Sequence, residues 1–202
     1  MGDVIGEALQ PLADRAAEAP AQLATERLVL RRWREDDVDA YAAINADPDV
    51  MRHFSTPLTR EQTAGVIAGY EASFSRNGFG PWAAEVADTG EFIGLVGLLP
   101  VDFDAHFTPA VHLTVKLAAH TWRLHYGTEA SHEVFRDGFD RLGLSEIVAF
   151  TPRLNEPSWR GMASLGMTHN PADDFAYPKL AEGHPLRDHV LYRIRNPRPG
   201  PR

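Results

Sequence analysis

Between Gly80 and Gly143 the hydrophobic pattern changes from the strand period to the helix period, which limits the folds open to this chain more than any other feature. Residues 82–86 and 92–101 are β-rich runs on either side of Asp88-Thr89-Gly90, a turn signal that makes them an antiparallel hairpin. Residues 111–117 supply the next strand. Ala130, Val134, Phe135, Phe139 and Leu142 then recur at helical spacing over 126–142, and Gly143 closes the run. A buried strand is predicted over 146–151. The order is mixed α and β, with no internal repeat.

The flanking segments extend this frame. Residues 23–33 alternate apolar with charged side chains from Leu28 onward and read as the first strand. Glu35-Asp36-Asp37 places acids in a first helical turn, followed by Val38, Tyr41, Ala42, Ile44 and Asn45 up to the Asp47-Pro48 stop. Thr59 as N-cap and Gln62 at the capping-box position open a second helix, which carries Val66, Ile67, Tyr70 and Phe74 and ends near Asn77-Gly78. A later helix spans about 155–165 and stops at Gly166, and the last strand is 189–195. The expected layout is an N-terminal extension over 1–22, one domain over 23–196 and a Pro-rich tail over 197–202.

Composition bounds the function. A chain of 202 residues with 44% hydrophobic content buries one sizeable core. Its formal charge of -8, with no stripe of Lys or Arg, argues against nucleic acid as a partner. No apolar run reaches the roughly 18 to 20 residues that span a bilayer, and no basic and apolar leader opens the chain, so a cytoplasmic location and no membrane partner are expected. The absence of cysteine excludes disulfides, thiolate metal sites and cysteine nucleophiles. Nine histidines show neither a His-Xaa-Xaa-Xaa-His pair nor a compact cluster with carboxylates, so no metal site is expected.

Several strings in order resemble the GNAT superfamily of N-acetyltransferases, in its ribosomal-protein-alanine N-acetyltransferase branch. They are Thr25-Glu26-Arg27-Leu28, Phe92-Ile93-Gly94 with Val96-Gly97, Thr121-Trp122, Tyr126, Thr128-Glu129-Ala130, Phe139, Leu142-Gly143-Leu144, Asn155, Ser158, Met162 and Leu165-Gly166-Met167. Glu182-Gly183-His184-Pro185-Leu186 and the residues from His189 resemble a subset of that branch. The resemblance covers roughly 23–195 and implies an α/β (α+β) GNAT fold, a mostly antiparallel mixed sheet splayed in the middle and flanked by helices. It also implies acetyl-CoA as cosubstrate, and the superfamily allows homodimer pairing.

The coenzyme A pyrophosphate must sit against backbone N–H groups at a helix N-terminus. The branch reads Trp-Gly-Xaa-Gly-Tyr-Ala there, whereas this chain has Trp122, Arg123, Leu124, His125, Tyr126 and Gly127, followed by Thr128. The glycine positions therefore carry Arg123 and His125. A side chain held in a left-handed conformation costs roughly 1 to 2 kcal/mol, so cofactor binding is in doubt. Two readings stand: Arg123 and His125 replace backbone contacts with cationic ones, or they are exposed residues of a relaxed loop. By the same resemblance, Val115, Lys116, Leu117 and Asn155 line the pantetheine arm.

Residues 111–117 stand where the branch reads Val-Glu-Ile-Gly-Xaa-Arg-Leu, and His112 takes the place of the glutamate that relays a proton from the amine. A neutral imidazole with a reference pKa near 6.5 also accepts a proton; the other reading is a core histidine bonded to backbone. Ser158 is the implied acid for the departing thiolate, Met162 standing where relatives place a tyrosine, unless Ser158 is an ordinary helix-start residue. The implied function is acyl-CoA dependent N-acylation of a small-molecule or peptide amine, the acidic chain suiting a cationic acceptor. The alternatives are acid/base chemistry by His112 and His125 on a small metabolite, or a non-catalytic binding protein.

Overall fold

The computed structural model describes residues 19–198, so most of the expected extension and the end of the tail lie outside the described residues. In chain order the elements are β1 (Gln22–Ala24), β2 (Leu28–Arg31), α1 (Asp37–Ala46), α2 (Pro48–Met51), α3 (Arg60–Asn77), β3 (Pro81–Val86), β4 (Phe92–Pro100) and β5 (Val111–Leu117). They continue with α4 (Tyr126–Asp140), β6 (Glu146–Pro152), α5 (Glu156–Ser164), β7 (Thr168–His169), β8 (Phe175–Ala176) and β9 (Asp188–Arg195).

Local chemistry sets the boundaries. Thr59 and Gln62 form the reciprocal capping box that opens α3. The run over 23–33, expected as one strand, is a tight hairpin of two. Thr25 folds it by donating its N–H to the Leu28 carbonyl at 2.9 Å and accepting the Leu28 N–H on its hydroxyl at 2.9 Å. Asp47-Pro48 ends α1 as expected but also starts α2: the Asp47 side chain accepts the Asp49 N–H at 2.8 Å, and Pro48 occupies the first turn, where no N–H is needed.

One sheet runs β1-β2-β3-β4-β5-β6-β9-β7, with β8 beside β9. Each half is well knit: β4 and β5 pair antiparallel from Gly94↔Leu117 to Pro100↔Val111, and β6 and β9 pair antiparallel from Glu146↔Arg195 to Pro152↔His189. Where the halves meet, β5 and β6 are parallel and joined at one register pair, His112↔Val148. Past it the two strands run on, each held only by its outer neighbour, so the sheet parts in the middle as the fold class requires.

Close backbone approach in the β3-β4-β5 run depends on two glycines. A Cβ on Gly97 would lie 2.4 Å from the Pro81 Cα, and one on Gly94, whose φ is +130°, would lie 2.2 Å from the Lys116 carbonyl oxygen. On one face, α4 and α5 cover a core that includes Leu113, Leu117, Ala130, Val134, Phe135 and Ile147. On the other, α1, α2 and α3 cover Trp33, Tyr41, Ile44, Met51, Ile67 and Leu95, and a separate aromatic cluster packs against Val148 and Leu191.

Candidate active site

The parted strands frame the site. Leu113 and Leu117 of β5 point into the core under α4, whereas His112, Thr114 and Lys116 alternate onto the opposite face. Val115 remains 40% exposed at the edge of the gap, an uncovered apolar side chain in mid-sheet.

At the far end of β5 the chain turns into α4 through the loop in question. Thr121 bonds the Ala118 carbonyl at 2.7 Å, and the Trp122 indole N–H donates to the Leu117 carbonyl at 3.1 Å, which fastens the loop to the strand. Arg123 has φ 65° and His125 φ 63°, the two positive-φ residues other than glycine among the described residues. The backbone thus keeps the left-handed frame that glycine would adopt, with side chains in its place. Both side chains are exposed. His125 caps α4 without a side-chain bond, so the N–H groups of Tyr126, Gly127 and Thr128 meet the positive end of the dipole with no intrahelical acceptor.

Glu129 in the first turn explains why two motifs a hundred residues apart belong together. It accepts hydrogen bonds from the Thr25 hydroxyl at 2.5 Å, the Arg27 N–H at 2.8 Å and the Arg27 Nε at 2.7 Å. Burial pushes its carboxyl up, but these bonds outweigh it and hold the pKa below the usual value. Arg27 also lies over the Tyr126 ring at 4.7 Å. Replacing Arg123 and His125 by glycine is expected to stabilise the protein: relief of roughly 1 to 2 kcal/mol of left-handed strain per site exceeds the roughly 0.5 to 1 kcal/mol entropy cost of glycine. Thermal unfolding of the double variant checks this, with a rise of about 2 to 4 °C per net kcal/mol expected for a chain of this size.

His112 lies against Phe150, with ring centroids 4.9 Å apart, and its Nδ1 is 3.3 Å from the Leu113 carbonyl oxygen. Donation from Nδ1 to that carbonyl leaves Nε2 as the acceptor. Burial pushes the imidazole down to about 4, and the Leu113 carbonyl only partly opposes this. The expectation of a group titrating near neutrality is corrected accordingly: His112 is neutral throughout the physiological range and weakly basic. Around it, Phe150, Phe103 and His189 pack with Tyr177, which the connection from β8 to β9 carries over the cluster. Sequence reasoning did not find Tyr177; its only signal was the family-like string in the same connection.

Further along this face Lys116 reaches α1 and α2. Its ammonium donates to Asn45 Oδ1 at 2.9 Å, lies 3.8 Å from Met51 Sδ and sits 4.0 Å from the Phe54 ring centroid. Burial pushes its pKa down to about 8. Across the gap, at the end of β6, Asn155 donates from Nδ2 to the Thr151 hydroxyl at 3.0 Å. The Ser158 N–H bonds the Asn155 carbonyl at 3.1 Å, and Ser158 itself is half-buried. Met162 is buried in the core and offers no acid.

The structure does not bring His112 and His125 together. His125 lies next to Gly127, whose α-carbon faces Val115 and Leu117, whereas His112 lies three to five strand residues back, roughly 10 to 16 Å. Among the described residues no three His, Cys, Asp or Glu side chains gather to hold a metal ion, and no helix is long and apolar enough to cross a membrane. A shallow recess lined by Leu23, Glu133, Arg136, Asp137, Asp140 and Arg141 lies along α4 and shares no residue with the gap.

A mixed sheet parted at one parallel junction, with an open helix N-terminus at its mouth, defines an acetyltransferase fold. Residues 27–168 match the sequence model of the acetyltransferase (GNAT) domain, and the chain belongs to that family of N-acetyltransferases. The chain is 28% identical over 159 residues to FsC-acetyl coenzyme A-N(2)-transacetylase of Aspergillus fumigatus, covering 75% of this chain and 67% of that protein. It is 28% identical over 146 residues to the uncharacterized N-acetyltransferase YoaA of Bacillus subtilis, covering 71% and 81%. Among solved structures, the GNAT-family acetyltransferase from Bacillus anthracis superposes with a TM-score of 0.71 at 20% identity, over 87% of this chain and 98% of that one. The ribosomal-protein-S5-alanine acetyltransferase from Vibrio fischeri gives 0.71 at 16% identity, over 90% and 100%. At these identities the two structures share the fold.

Proposed function

We propose that this chain transfers an acetyl group from acetyl-CoA to the amine of a small molecule or peptide, using the single domain over 23–196. The observation that carries the reading is the one-pair junction between β5 and β6, which leaves strand edges free to hold an extended arm. Exposed apolar side chains border the gap and its mouth: Val115 on the strand, Trp122 and Leu124 in the loop, and Leu154 before α5. A bound cofactor would cover such groups.

In this reading the first-turn N–H groups of α4 hold the pyrophosphate, with Arg123 and His125 at its rim, while Val115, Lys116 and Leu117 on one side and Asn155 on the other flank the pantetheine. The amine arrives as the free base and donates a hydrogen bond to His112 Nε2, which orients it. Its nitrogen attacks the thioester carbonyl, and strand N–H groups near Val115 stabilise the oxyanion. Collapse breaks the carbon–sulfur bond, the Ser158 hydroxyl passes its proton to the leaving thiolate and regains one from water, and the nitrogen loses its extra proton to water. His112 is too weak a base to keep that proton.

Calorimetric titration of acetyl-CoA into the protein is expected to give micromolar binding; silence would end the reading. Ser158→Ala is expected to lower kcat about 100-fold, in the ordinary range for a lost general acid. His112→Ala is expected to lower kcat/KM about tenfold without reshaping its pH profile, which should rise towards the pKa of the amine. An acid limb near pH 6.5 that disappears in His112→Ala would instead make His112 a titrating base.

A further inference from the structure

We infer that Lys116 is an anion-recognition residue of the acceptor site, and that the acceptor is an amine carrying a carboxylate at its other end. The inference rests on the reading of the parted strands as an acyl-transfer site.

Among the described residues every partner of the Lys116 ammonium is neutral: the Asn45 amide oxygen, the Met51 sulfur and the rings of Phe54 and Tyr41. A half-buried cation with no counter-ion is costly unless a ligand supplies one. Other enclosed cations in this chain have carboxylates: Arg31 has Asp37 and Glu85, Arg141 has Asp137, and Arg193 has Glu146 and Asp173. All of these are arginines, in a chain of eighteen arginines and two lysines, so the exception stands out by residue type as well as by pairing.

Placement gives the ammonium a ligand to meet. Lys116 shares a strand face with His112 and Thr114, the face that carries the imidazole proposed to orient the amine. Asn45 is held by α1 and by its own bond to Thr63 of α3 at 3.2 Å, so the cage is built into the fold. Phe54, 42% exposed, forms its outer edge. His112 and Lys116 are four residues apart on one strand, a Cα separation of roughly 13 Å. A linear ω-amino acid, or a peptide amine near an acidic side chain, has about the required reach between amine and carboxylate. The cage thereby points away from a purely cationic acceptor such as a polyamine, which the overall acidity of the chain had suggested.

Calorimetry with 6-aminohexanoate and 6-aminohexanamide, in the presence of excess coenzyme A, tests the site without requiring turnover. Wild-type protein is expected to bind the carboxylate at least tenfold more tightly than the amide. Lys116→Met, and separately Asn45→Asp, which gives the ammonium an internal counter-ion, should each reduce that preference to within twofold. Melting curves identify which variants are folded, and either variant alone suffices. Equal or absent binding of the two probes by wild type overturns the inference, as does a preference that survives substitution. Failure of acetyl transfer itself registers separately, as no acetyl-CoA consumption with any amine.

Discussion

Gly94→Ala is expected to cost at least about 3 kcal/mol, most of the margin of a domain whose total stability is about 5 to 15 kcal/mol. Two effects add. At φ +130° an L side chain is strained, and the new Cβ would stand 2.2 Å from the Lys116 carbonyl oxygen and 2.9 Å from the Leu117 Cα. Both obstacles are backbone of β5, and moving them breaks the Gly94↔Leu117 register. Gly90→Ala is the control, because Gly90 has φ +71° but open space where its Cβ would go. It carries strain alone, about 1 kcal/mol. Urea denaturation and soluble yield compare the two, and equal losses would refute the steric account. A Gly94→Ala protein that did fold would have a displaced Lys116, so the preference for a carboxylate should fall as well.

Asp37→Ala is expected to cost about 3 to 5 kcal/mol, the range for a buried pair that loses one partner. Asp37 accepts both Arg31 terminal nitrogens, at 2.7 and 2.8 Å, and the Arg34 N–H at 2.7 Å. Its side chain and that of Arg31 are 5% and 7% exposed. Without Asp37 the guanidinium keeps Glu85 but leaves donors buried and unpaired. Arg31→Met together with Asp37→Ala should therefore be less harmful than Asp37→Ala alone, which urea denaturation of the single and double variants measures. The loss reaches the site, since the pair ties β2 to the first turn of α1, and α1 carries Tyr41 and Asn45 of the lysine cage.

Elements with period and punctuation were legible in the sequence. The α3 capping box, the hairpin around Asp88-Thr89-Gly90 and the crossover from β5 through α4 to β6 stand where pattern and turn chemistry put them. β7 and β8, two residues each, were invisible because no period fits in two residues. The hairpin of β1 and β2 was hidden because Thr25 makes its turn with a side chain, in a run that otherwise alternates like one strand.

At the site, the left-handed loop was legible because a family pattern with two glycines tells which backbone angles its replacements must adopt. The environments of His112 and Lys116 were not. A basicity of about 4 for the first comes from burial among rings that the chain gathers from β6 and from the connection between β8 and β9. The neutral cage of the second joins residues 45, 51, 54 and 116, a grouping that no local spacing encodes.

The stitch that Glu129 makes to Thr25 and Arg27 joins the β1-β2 hairpin to the mouth of the proposed cofactor slot. Trimming the chain past Arg27 would thus do more than remove an edge strand: it would unmoor the helix end proposed to grip the phosphates, and on that reading affinity for coenzyme A should drop before the protein melts.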